Sequence, residues 1–185
     1  MHAPAAFRQQ LLGAIPRLRR YARSLVFDAS AADDLVQTAL ERALSHWHQF
    51  DQRRDILVWL TSIAHNAHVD EQRRRARMSL VEPADAEAPP HAHLDRWRSD
   101  PGTDVGLRID LLAALHSLPV DQREALVLVC VEQFSYLECA EALSVPIGTV
   151  MSRISRGRAA LRARLEGNPP AAGATSGAPT LRRVI

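Results

Sequence analysis

Lysine is absent from this chain of 185 residues, so all 23 basic residues are arginine. We read this as coding bias, although arginine is well suited to phosphate contacts. Cysteine is scarce. Cys130 and Cys139 are the only two, too few for a disulfide framework, and core packing is their expected role. No apolar run approaches the roughly 20 residues of a membrane span, and no secretory signal stands at the N-terminus. The expectation is a cytoplasmic protein with no direct membrane insertion. There is no strand-period segment, no internal repeat, no phosphate loop and no nucleophile–base pair. Enzymatic chemistry is therefore not expected, and neither is a catalytic residue or cofactor. His46, His48, His65 and His68 lack cysteine or carboxylate companions at ligand spacing, which argues against a metal site.

What is present is charge, and it is segregated. The net charge is only +2. Residues 1–80 hold twelve Arg and eight acidic residues; residues 81–106 hold two Arg and six. The second stretch contains Pro83, Pro89, Pro90, Pro101 and Gly102, lacks helical periodicity, and reads as a flexible acidic linker. Residues 107–145 are again acidic, whereas residues 146–166 carry five Arg and one Glu. Residues 167–185, rich in Gly and Pro, read as a disordered tail. The pattern predicts an all-α protein of two small helical domains, 1–80 and 107–166, joined by the linker 81–106.

The segment 135–165 is the most informative. Ser135 with Glu138 three residues on is a capping box, so a short helix should start there and run to about Leu143. Pro146 biases Val145 away from helical geometry. A second, basic helix should follow from Ile147 to Leu165, with Ile147, Val150, Ile154, Leu161 and Leu165 on one stripe and Thr149, Ser152, Arg153 and Arg156 on another. Short helix, turn and longer basic helix match a helix-turn-helix, which lays a helix N-terminus in the DNA major groove. An ordinary helical hairpin with a solvated basic face has the same spacing, but the localised charge favours DNA.

The first domain is predicted to hold three helices. One covers Phe7 to Val26, with Pro16 marking a kink or a start. A second is capped at Ser30 and runs to about Trp47, with Asp34, Gln37, Thr38 and Glu41 on a polar face. A third begins near Ile56, with Trp59 as core or stacking platform, then His65, Asn66, His68 and the cluster Arg73, Arg74, Arg75 and Arg77.

Together these residues resemble the extracytoplasmic-function (ECF, group 4) sigma factors of bacteria, over most of residues 7–166. Asp34-Leu35-Val36-Gln37 with Ala43 is similar to the region 2 helix that docks on core RNA polymerase. Trp59-Leu60, Ile63-Ala64, Asn66 and Asp70 resemble the −10-reading part of region 2. Leu118-Pro119, Gln122-Arg123-Glu124, Ser135-Tyr136, Ala140-Glu141 and Pro146-Ile147-Gly148-Thr149-Val150 with Ser152-Arg153 and Arg156 resemble region 4. Thr38 stands where the family usually has Glu, Met151 where Lys or Arg is frequent, Val129 where Arg can occur, and His65 where Arg or an apolar residue is usual.

The resemblance implies a regulator of transcription initiation that binds core RNA polymerase through Asp34, Leu35, Gln37, Thr38 and Glu41. It implies −10 promoter contacts at Trp59, His65, Asn66, His68, Arg73 and Arg74, with Asn66 in or beside a loop that traps an unstacked base. It places −35 contacts at Ile147, Gly148, Thr149, Met151, Ser152, Arg153 and Arg156. An anti-sigma factor is an expected partner, meeting the polar side of the 34–44 helix and Leu126, Val127 and Val131. The two domains are expected to tumble semi-independently without it. Two other readings stay open: a free-standing helix-turn-helix regulator, and a sigma mimic that sequesters an anti-sigma factor.

Overall fold

The structure is a computed structural model, and it describes residues 3–79 and 105–166. The tail 167–185 and all but the last two residues of the expected linker lie outside the described residues. Residues 105 and 106, assigned above to the linker, open a helix instead. Among the described residues the regular elements are helical throughout. They are α1 (Ala5–Val26), α2 (Ala29–Ser45), α3 (Ile56–Ser79), α4 (Val105–His116), α5 (Val120–Leu126), α6 (Tyr136–Ala142) and α7 (Ile147–Leu165). A 3₁₀ turn at Trp47–Gln49 follows α2, and a π-helical segment, Val127–Val131, prolongs α5.

α1 runs unbroken through Pro16, which is exposed. It stops at Phe27, which takes the left-handed conformation with φ 54° and returns its N–H to the Arg23 carbonyl. That stop fixes the start of α2. Asp28, in extended geometry, accepts the Ala31 N–H at 2.8 Å, so Asp28 and not Ser30 is the N-cap. Both residue types cap well; the position of the α1 terminus selects between them. Leu18, Ala22, Ala32, Ala39, Ala43, Leu60 and Ala64 are wholly buried where α1, α2 and α3 meet. Alanine at these positions lets the three helices approach closely. Phe7, Phe50 and Trp59 pack together at one end, with ring centroids 5.1–6.0 Å apart. Trp59 is therefore part of the core packing.

The capping box forms as expected. The Ser135 hydroxyl accepts the Glu138 N–H, and the Glu138 carboxylate accepts the Ser135 N–H at 2.7 Å. Ser144, at φ 53°, turns the chain, and Val145 donates to the Ala140 carbonyl at 3.0 Å before α7 begins. Ala125, Leu128, Cys139, Ala142 and Val150 are fully buried beneath this hairpin.

The two helical units are not separate. α1 packs on α5, and α3 packs on α6, along a seam of buried polar groups. Glu124, 3% exposed, accepts the Tyr21 hydroxyl and the His65 Nδ1–H, the latter at 2.7 Å. Glu132, 1% exposed, accepts Arg17 Nε at 2.9 Å and Arg20 Nε at 3.0 Å. Arg123 donates to the Leu25 carbonyl at 3.0 Å and lies 4.5 Å over the Phe27 ring. The His116 ring, 4.4 Å away, packs on Phe27 as well. In the structure the two units pack on each other, whereas the sequence suggested two units standing apart. Arg123, Glu124 and Glu132 find partners across the seam 59 to 115 residues earlier in the chain.

Candidate nucleic-acid interface

α7 presents one polar edge. Val150, Ile154 and Gly157 are buried against the second unit, so Ile147, Gly148, Met151, Ser152 and Arg156 face outward, with Thr149 half-buried beside them. The edge is self-organised: the Ser152 hydroxyl donates to the Thr149 carbonyl at 2.9 Å, and Arg156 Nε donates to the Ser152 carbonyl at 3.3 Å. Both side chains are thereby held on the outer face with hydrogen-bonding capacity to spare. Arg153 differs. Its side chain is half-buried, and its Nε lies 3.3 Å from the Asp121 carboxylate of α5. Ile147, placed above on the apolar stripe, is 42% exposed because the turn at Ser144–Pro146 lifts the first residue of α7 off the core.

In the first unit, Asp34, Gln37 and Glu41 line the exposed side of α2, with Leu35 and Thr38 half-buried. Gln37 Nε2 donates to Glu41 at 2.9 Å. Asp34, Leu35 and Thr38 meet His68, Asp70 and Arg74 of α3 across a cleft of about 850 Å³. Residues expected to serve two different partners therefore line one cavity. Arg42 of α2 approaches Asp70 to 3.7 Å across it.

Asn66 lies on the exposed side of α3, inside a continuous helix and not in a loop or at a helix end. Arg73 and Arg74 are exposed, and Arg74 and Arg75 both bond Glu71, whose carboxyl is held below its ordinary range, chiefly by the Arg75 hydrogen bond. His65 turns to Glu124 across the seam, and His68 is buried. In this closed state Trp59, His65 and His68 all face protein, while Asn66, Arg73 and Arg74 face outward. Among the described residues no group of His, Cys, Asp and Glu is arranged to hold a metal ion. Cys130 is exposed and Cys139 buried, with its thiol pushed up to about 12 by burial first and Glu124 second. No described helix is long and apolar enough to cross a membrane.

Burial pushes the His68 imidazole below its ordinary value of 6.5. The unfolded chain takes up that proton first, so the stabilising balance holds above pH ~6.5 and is lost as the pH falls toward the folded value. Acidification from about pH 7 to about pH 5.5 should therefore lower the urea midpoint more for the wild-type chain than for His68→Gln. Equal losses would contradict this assignment.

Leu126 and Val127, expected on a partner-facing surface, are each 5% exposed and belong to the core; only Val131 of that set is open, at 52%. Sequence reasoning missed Tyr21, Arg123, Glu124 and Glu132 as seam residues. One signal was available: Glu124 and Glu132 bracket a nearly uninterrupted apolar stretch, where an acid is costly unless partnered.

A helix-turn-helix with an exposed polar recognition edge, closed against a three-helix unit, defines a DNA-binding regulator of two helical parts. The sequence profile of sigma-70 region 4 matches residues 108–161, and that of the Sigma2 domain of PhyR matches residues 11–65. The chain is 38% identical over 161 residues to the ECF RNA polymerase sigma factor EcfG of Rhodopseudomonas palustris, covering 86% of this chain and 85% of that one. It is 31% identical over 143 residues to the ECF sigma factor SigW of Bacillus subtilis, covering 72% and 75%. Among solved structures, the sigma factor RpoE of Bartonella quintana, crystallised with the anti-sigma factor NepR, matches with a TM-score of 0.72 and 31% identity, over 88% of this chain and 98% of that one. CnrH, in complex with the cytosolic domain of CnrY, matches at 0.61 with 27% identity, over 88% of each chain. The chain belongs to the ECF sigma factor family.

Proposed function

We propose that this chain binds core RNA polymerase and directs promoter-specific initiation in the cytoplasm, performing no covalent chemistry itself. Residues 1–80 act as region 2 and residues 107–166 as region 4. The exposed side of α2, with Asp34, Leu35, Gln37, Thr38 and Glu41, meets polymerase. Asn66, Arg73 and Arg74 read or hold the opened −10 strand, where trapping a base costs a few kcal/mol offset by hydrogen bonds and stacking. The α7 edge reads the −35 element in the major groove. The observation that carries this reading is the conjunction of family membership with an intact recognition edge: Gly148, Met151, Ser152 and Arg156 are all open to a groove. That edge also disfavours a sigma mimic, which has no use for a preserved DNA-reading helix.

An anti-sigma partner is part of the proposal, supported by likeness to two sigma factors solved with theirs. The surface available to it on the second unit is Val131 and its neighbours, since Leu126 and Val127 are already covered. Asn66, Arg73 and Arg74 are open without any change at the seam, whereas freeing His65 requires its bond to Glu124 to break. The test is reconstitution. The purified chain should bind core polymerase stoichiometrically, and specific DNA binding should appear only with both present. Failure to bind core enzyme, or specific binding to palindromic sites by the chain alone, would contradict it.

A further inference from the structure

Arg153 stands apart from the rest of the α7 edge. Its neighbours Ser152 and Arg156 are exposed and bond only within their own helix. The Arg153 side chain retains 19% of its exposure, and its Nε lies 3.3 Å from the Asp121 carboxylate in the first turn of α5. One turn further along α7, Gly157 sits against the same helix. A Cβ built there would lie 2.7 Å from Leu126 Cδ1 and 3.4 Å from Gln122 Cβ. α7 is thus held to α5 at two successive points on one side: a close apolar seat at Gly157 and an ion pair at Arg153. Val150 and Ile154, both buried, seat the same end of α7 on the core. The ion pair adds a polar tie to α5 beside the segment that carries Gly148 and Ser152. The pair engages the Arg153 Nε side of the guanidinium and, with the side chain only 19% exposed, draws it toward α5 and away from the outward edge that Ser152 and Arg156 present.

We infer that Arg153 is a positioning residue: acting through Asp121, it fixes the reading end of α7 against α5, and DNA contact falls to Arg156 and the exposed edge. This rests on the proposal that α7 reads promoter DNA. Nothing else in the second unit supplies a second ionic tie between α5 and α7 among the described contacts.

The test uses the holoenzyme, a duplex carrying a promoter from which it initiates, and affinity measured across a salt series for R153Q, D121N and the double variant. R153Q and D121N should each weaken binding by about threefold to tenfold, and the double variant no further than either alone. The salt slope of R153Q should equal that of wild type, because no phosphate contact is lost. If R153Q lowers the slope by about one while D121N leaves affinity unchanged, Arg153 touches DNA and the inference is overturned. Hydrogen exchange across residues 147–154 of the free chain reads the positioning without DNA. R153Q and D121N should speed it equally and non-additively; unchanged exchange in both would overturn the inference even if the promoter reading stands. A wild-type holoenzyme that selects no promoter, with exchange behaving as expected, would sink the proposed function and leave the α5–α7 tie intact.

Discussion

Glu124→Ala is expected to destabilise the folded chain by about 2–4 kcal/mol and to part its two helical units. Glu124 is 3% exposed and is the acceptor for both the Tyr21 hydroxyl and His65 Nδ1. Removing it strands two polar groups, and the Tyr21 hydroxyl is in a site only 1% exposed. A buried donor left without an acceptor loses its whole hydration in return for nothing. Burial, reinforced by the neighbouring carboxylate, already raises the Tyr21 pKa well above its ordinary value, so the phenol stays a donor at any physiological pH. Tyr21→Phe removes the donor with its need and should cost only about 1 kcal/mol, and the two substitutions together should cost less than their sum. Urea unfolding reads the energies, and small-angle scattering reads the opening as a larger radius of gyration. An unchanged radius and midpoint in Glu124→Ala would show that the seam holds without this carboxylate.

Arg156→Ala is expected to reduce specific promoter binding by the holoenzyme by about 10- to 100-fold, the equivalent of about 1–3 kcal/mol for a lost base contact. Arg156 is exposed, on the same edge as Ser152, and is steadied by that residue's carbonyl and hydroxyl, so its guanidinium stays on the outward edge. The loss should fall on sequences carrying the −35 element and spare non-specific DNA. A uniform loss across all DNA, with a salt slope smaller by about one, would reassign Arg156 to phosphate. Fold stability should barely change, because the side chain supports nothing beneath it.

The fold was legible wherever the determinant was local. Ser135 and Glu138 are three residues apart, and their reciprocal capping follows from that spacing alone. The turn before α7 follows from Pro146. The choice of Asp28 over Ser30 as cap did not, because it depends on where α1 ends, and α1 ends at a left-handed Phe27 that an Arg123 from the other unit covers. The seam was illegible for the same reason. Summing charge by segment treats Glu124 and Glu132 as solvated, whereas Glu124 accepts the Tyr21 hydroxyl and Glu132 pairs with Arg17, each more than a hundred positions earlier.

The candidate site shows the same division. Helical periodicity puts Thr149, Ser152, Arg153 and Arg156 on one face, and the exposure of Ser152 and Arg156 agrees with it. Whether Arg153 points to solvent or to α5 depends on how closely the helices approach. Gly157 decides that, and periodicity does not register it. His65 and His68 lie on a helix whose polar side is part surface and part seam, so sequence alone could not divide it.

The most direct measurement is transcription from fragments of the organism's own genome by core RNA polymerase, with and without this chain, mapping every 5′ end. The account predicts a discrete set of new starts that appear only with the chain, share upstream −35 and −10 elements, and vanish when the −35 element is scrambled. Starts unchanged by adding the chain, under conditions where it is bound to core polymerase, would contradict it.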